Sequence, residues 1–71
     1  MIEIIEIKTE YIKLDSLLKF SGAVVTGGQA KIAVISGKVL LNGETCLLRG
    51  KKIRQGDIVE YNGKSYGVRQ I

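Results

Sequence analysis

The stretch from Thr26 to Gly43 constrains the fold more than any other part of this chain. Thr26, followed three residues later by Gln29, fits a capping box, in which each side chain satisfies a backbone donor of the other residue. Ala30, Ala33 and Val34 form one apolar stripe at helical spacing, while Ile32 and Ile35 lie on other faces. A short helix packed from more than one direction is expected. Gly37 suits the left-handed residue that ends a helix. Lys38 to Leu41 reads as a strand, and Asn42-Gly43 as a tight hairpin turn, where both central residues need positive φ. A capped helix, a glycine stop, a strand and a turn in such close order leave few arrangements for the rest.

The flanking segments complete the pattern. Ile2, Ile4, Ile5 and Ile7, interrupted by Glu3 and Glu6, form a β-branched run expected to be a first strand. Tyr11 and Ile12 either extend it or form a short separate bridge. Leu14, Leu17 and Leu18, with Asp15 and Ser16 near the front and Gly22 just past the end, predict a helix of about two turns that needs tertiary packing to persist. Thr45 to Leu48 either returns along the hairpin or enters a longer loop. Gln55-Gly56-Asp57 is a turn, Ile58 to Tyr61 a strand, Asn62-Gly63 another turn, and Ser65 to Ile71 a last strand placed near the first. The order predicts an α+β fold: two short helices packed on one face of a small, mostly antiparallel β-sheet. Its 71 residues allow one domain, residues 1–71, with a small core.

Charge placement narrows the partner class. The net charge is +4, and residues 1–35 contribute none of it: Lys8, Lys13, Lys19 and Lys31 balance Glu3, Glu6, Glu10 and Asp15. The second half holds seven basic residues against Glu44, Asp57 and Glu60, and so carries the whole excess. A basic half points to an acidic partner, most commonly nucleic acid. Arg49-Gly50-Lys51-Lys52-Ile53-Arg54 is its densest part. If the run is extended, Lys51 and Ile53 point one way and Lys52 and Arg54 the other. If Gly50 opens a loop, several cations can converge on one phosphate backbone. Gly27 and Gly28 at the second helix start offer free backbone donors to an anion, with Lys31 one turn further on.

Other classes lack the parts they need. The chain has no histidine, so neither a Ser–His nor a Cys–His pair can be built. Asp15 and Asp57 read as helix-start and turn residues, and the scattered carboxylates make no calcium loop. No catalysis, cofactor, metal or small-molecule substrate is expected. Cys46 is the single cysteine, which rules out an intramolecular disulfide, and its strand-like neighbours predict a buried, inert thiol. The start Met1 to Glu6 does not read as a signal peptide, and no apolar run nears the ~20 residues of a membrane span, so a cytoplasmic chain is expected. The aromatics, Tyr11, Phe20, Tyr61 and Tyr66, are not interleaved with the basic run, and Phe20 is expected in the core. That favours structured RNA over a single-strand stacking platform.

These segments together resemble the alpha-L RNA-binding motif named after small-subunit ribosomal protein S-four, in its small stand-alone bacterial form. The resemblance rests on Lys13-Leu14-Asp15-Ser16-Leu17-Leu18, on Thr26 through Lys31, on Gly37 through Gly43, and on Arg49 through Val59, and it covers about residues 11–61. It implies a module that binds structured RNA, ribosomal or transfer RNA. Lys13 matches the family's basic residue before the first helix, Lys31 the one inside the second, and Lys38 and Asn42 the strand and turn that follow. Many members open the second helix with Ser-Arg, where this chain has Thr26-Gly27; the Arg49 to Arg54 cluster is expected to offset that charge.

The expectation is therefore non-catalytic binding of structured RNA, by a ribosome-associated or RNA-processing factor acting as a monomer. Lys13, Lys19, Lys31 and Lys38 would line a helix-side face, Arg49, Lys51, Lys52 and Arg54 its edge, and Gly27 and Gly28 would add backbone donors. The alternative is a protein-interaction adaptor whose basic face meets an acidic partner. A ubiquitin-like sulphur carrier would need a terminal Gly-Gly, and the end Arg69-Gln70-Ile71 reads against it.

Overall fold

Two Asn-Gly turns, each with both residues at positive φ, set the sheet: Asn42 and Gly43 at 52° and 86°, Asn62 and Gly63 at 53° and 79°. Such turns carry the right-handed twist that paired strands need. The computed structural model describes residues 2–71. In chain order the elements are β1 (Ile2–Ile7), β2 (Tyr11–Lys13), α1 (Leu14–Phe20), α2 (Gly27–Ile35), β3 (Val39–Leu41), β4 (Glu44–Thr45), β5 (Lys52–Arg54), β6 (Ile58–Tyr61) and β7 (Lys64–Gln70). The main sheet runs β1-β7-β6-β3-β4; only the β1–β7 pair is parallel, and β2 and β5 form a separate antiparallel ribbon.

Period-two alternation decides which sheet face is covered. Ile5, Ile7, Val39, Val59, Tyr66 and Val68 point to the inner face and are buried. Both helices pack there through Leu14, Leu17, Leu18, Ala30, Ala33 and Val34. Ile2 and Ile4 point outward and stay about half exposed. On that outer face Gly67 is crowded: a side chain there would meet Ile4, Ile2 and Ile58 at 3.2–3.4 Å. The α+β expectation therefore describes the fold, and the short bridge at Tyr11–Lys13 is the form that segment takes.

Local signals work as the residues dictate. The Thr26 hydroxyl accepts from the Gln29 amide at 3.1 Å, and the Gln29 side-chain oxygen accepts from the Thr26 and Val25 amides. Gly37, at φ 75°, ends α2. The chain then takes both courses open to it after the hairpin, pairing through β4 and then leaving the sheet at Cys46.

Two expectations fail because each helix buries a single side, and a third because a strand ends early. Phe20 is 68% exposed. At about 100° per residue it sits roughly 110° around α1 from the middle of the Leu14–Leu17–Leu18 stripe. Ile32 and Ile35 lie roughly 150° from the α2 stripe by the same count and are exposed, so α2 is packed from one direction only. Cys46 is half-buried just outside the sheet rather than sealed within a strand, because β4 ends at Thr45.

Equilibrium urea unfolding checks this assignment. Leu17→Ala should cost about 2–5 kcal/mol because it empties a fully buried site. Phe20→Ser should stay within about 0.5 kcal/mol of the parent.

A basic groove and its ribbon

Helix α1 begins without a side-chain cap, since Lys13 stands at the cap position and makes no side-chain cap bond. Its first amides are satisfied from elsewhere in the chain. Leu14 N–H donates to the Lys51 carbonyl at 2.9 Å, and Asp15 N–H to the Arg49 carbonyl at 3.0 Å. Four orphan donors open every helix, and here two of them fix the basic loop. Lys51 N–H in turn donates to the Leu48 carbonyl at 3.0 Å, closing the turn around Arg49 and Gly50.

The β2–β5 ribbon follows directly. Tyr11 pairs with Arg54, Ile12 with Ile53 and Lys13 with Lys52. Directly opposed residues share a face. Ile53 goes fully into the core with Ile12 packed beside it, while Tyr11, Lys13, Lys52 and Arg54 take the outer face. The Lys52 ammonium lies 4.9 Å from the Tyr11 ring centroid, and the Arg54 guanidinium 5.5 Å from it. Each such contact is worth about 0.5–1 kcal/mol at an exposed site. One ring thus holds two cations side by side despite their mutual repulsion.

Next to the ribbon lies an open groove of about 710 Å³ between α2 and the loop that precedes β5. Its charged lining is Lys31, Arg49, Lys51 and Lys52, with no carboxylate among the lining residues. Its apolar lining is Ile35, Leu47 and Leu48. Among the described residues the ion pair present is Arg69–Glu6, at 3.9 Å and well exposed, so none of the groove's cations is held in a close ion pair, although Lys51 and Lys52 also line a neighbouring depression with Glu44 and Asp57.

The candidate residues divide accordingly. Lys13, Lys31, Arg49, Lys51, Lys52 and Arg54 adjoin one another along the ribbon and the groove. Lys38 does not join them; it lines two other depressions, one with Tyr61 and Ile32 and one with Glu60 and Lys64. Lys19 is exposed in the last turn of α1 and lines none of these grooves. A side chain at Gly27 would meet nothing within 4 Å, and neither the Gly27 nor the Gly28 amide has a hydrogen-bond partner among the described residues. The Asn42 side chain is occupied structurally. It donates to Asp57 Oδ1 at 3.1 Å and accepts from the Ile58 amide at 2.9 Å, tying the first hairpin turn to the turn before β6.

Sequence reasoning missed Tyr11, Ile35, Leu47 and Leu48. Tyr11 meets the basic run only through a pairing between segments far apart in the chain. For the two leucines a signal was present in the dipeptide directly ahead of Arg49, which is apolar yet too near the glycine-broken basic run to continue a strand.

A family model described as the S4 domain matches residues 5–69. The chain belongs to the S4 domain family. This S4 domain is also 41% identical over 59 residues to a protein of Bacillus subtilis (strain 168) named as a probable ribosome maturation protein, RlbA, and the alignment covers 83% of each chain. Among its described residues no group of three or more His, Cys, Asp or Glu could hold a metal ion, and no helix is long and apolar enough to cross a membrane.

The ribbon geometry has a direct spectroscopic check. The Tyr11 ring should shift the side-chain protons of Lys52 upfield in proton NMR. Tyr11→Leu should abolish that shift, and Tyr11→Phe should keep it.

Proposed function

We propose that this S4 domain is a non-catalytic binding module for structured RNA of the ribosome, acting in the cytoplasm as a monomeric single-domain factor. The observation that carries the reading is the adjoining set of Lys13, Lys31, Arg49, Lys51, Lys52 and Arg54, with no acid lining the groove. Phosphate groups bind such a surface through charge and counterion release, which needs no catalytic group. Family membership and the ribosome maturation name carried by the Bacillus subtilis relative support a ribosomal target. Transfer RNA is the second candidate RNA, and the same assay ranks the two.

The arrangement suits a shaped RNA surface. Cations stand on a helix, on a loop and on a strand, so they are spread over a surface instead of strung along one edge. A-form RNA presents phosphates and 2′-hydroxyls across its wide minor groove, and contacts of this kind recognise shape more than sequence. The backbone bonds from Leu14 and Asp15 hold the loop carbonyls in place, so little ordering should be needed on binding.

Titration against ribosomal RNA fragments and transfer RNA at several salt concentrations tests this. With about five phosphate contacts, the log–log slope of affinity against salt should be roughly −3 to −5. Charge reversal at Lys51, Lys52 and Arg54 to Glu should weaken binding by at least about a hundredfold and flatten the slope. Lys64→Gln, away from this groove, should change little. A flat salt dependence, or unaltered binding by the charge-reversed variant, contradicts the reading.

A further inference from the structure

The groove is more than a patch of charge. Ile35, Leu47 and Leu48 are 56%, 57% and 67% exposed, and they share the groove's lining with Lys31, Arg49, Lys51 and Lys52, which we read as an aliphatic floor and a cationic rim. Scattered exposed leucines are ordinary, but contiguous ones ringed by like charges mark a binding surface. A regular RNA duplex satisfies the rim and leaves the floor unused, because its bases are stacked inside and its surface is phosphate and ribose.

We infer that the groove receives an unpaired nucleobase, one bulged or looped out of the structured RNA bound by this domain. The inference rests on the RNA-binding reading above and names the feature of the RNA that this site takes. Both halves of the groove find a partner in one nucleotide. The flat face of the base lies on the aliphatic floor, and the phosphates on either side meet the rim cations. Charge complementarity selects this occupant, since the lining holds four cations and no carboxylate. Size agrees, because about 710 Å³ exceeds what one base requires and lies within the range of small-ligand clefts.

The floor is also held in shape. Cys46 N–H donates to the Val39 carbonyl at 3.0 Å, and the Leu48 carbonyl accepts from Lys51 N–H and from the Cys46 thiol. Leu47 and Leu48 therefore sit on a loop tied to the sheet at one end and to α1 at the other, and Ile35 stands at the end of α2. A preformed floor of this kind loses little freedom when it is covered.

Three RNA hairpins with one stem sequence test this: one fully paired, one with a single bulged adenosine, and one with an abasic residue at the bulge. The parent protein should bind the bulged hairpin about five- to tenfold tighter than the other two, at the low end of the range for a base stacked on an aromatic side chain because this floor is aliphatic. The paired variant Leu47→Ser with Leu48→Ser should bind all three alike, at the parent's affinity for the full duplex and with an unchanged salt slope. Ile35→Ser, on a different element, should lose the same preference, which separates loss of the floor from damage to the loop. Equal binding of the three hairpins by the parent overturns this inference and leaves the RNA-binding reading standing. So does a uniform loss by the serine variants across all three, and in either case the floor is free for an acidic, apolar protein segment. No binding to any hairpin overturns both.

Discussion

The contact on which the rest depends is the pair of backbone hydrogen bonds from the first turn of α1 to the carbonyls of Arg49 and Lys51. A helix of seven residues cannot stand alone, and this one lacks a side-chain cap. Its opening donors are satisfied by a loop more than thirty residues downstream, so the helix start and the basic loop are ordered together. The same closure sets Lys52 to Arg54 against Tyr11 to Lys13 and sends Ile53 into the core. A structural requirement of the helix thereby becomes a geometric fact about the cations.

Economy in the core explains much of the surface. Each helix commits one stripe to the sheet, and α2 does so with small residues, Ala30 and Ala33, beside Val34. Small side chains let α2 lie close to α1 and leave no room to turn its larger isoleucines inward. Ile35 therefore faces solvent beside the loop leucines, in the groove rimmed by Lys31, Arg49, Lys51 and Lys52. The amphipathic groove is a by-product of how a chain of this size fills its interior. Asn42 and Asp57 brace the far end of β5, where the Asp57 carboxylate accepts from the Arg54 amide at 2.8 Å and from Asn42.

How much of this could be read from the sequence depended on distance along the chain. The capping box at Thr26 and Gln29, the stop at Gly37 and both Asn-Gly turns rest on interactions within a few residues, and all are present. The buried stripe of α1 was equally legible, because Leu14, Leu17 and Leu18 mark one face by spacing alone. Phe20, Ile32 and Ile35 misled, since hydrophobicity says that a residue can be buried and not that a neighbour exists to bury it. Among the site residues, Lys51, Lys52 and Arg54 were legible as a cluster. Their arrangement around Tyr11 was not, because only the ribbon pairing brings the ring there. Asn42 was noticed for its turn, while its bonds to Asp57 and Ile58 depend on a second turn folding back against the first.

The loop held by α1 and the β2–β5 ribbon are together the RNA-contacting surface we propose. Amide chemical-shift mapping during titration with a ribosomal RNA fragment tests it most directly. The largest perturbations should fall on Tyr11 to Lys13, Lys31, Ile35 and Leu47 to Arg54. Ile2, Ile4, Ser65 and Gly67, which share the outer face of the sheet, should stay nearly unmoved. Perturbations concentrated on those outer-face residues, with the loop and ribbon unchanged, would contradict it.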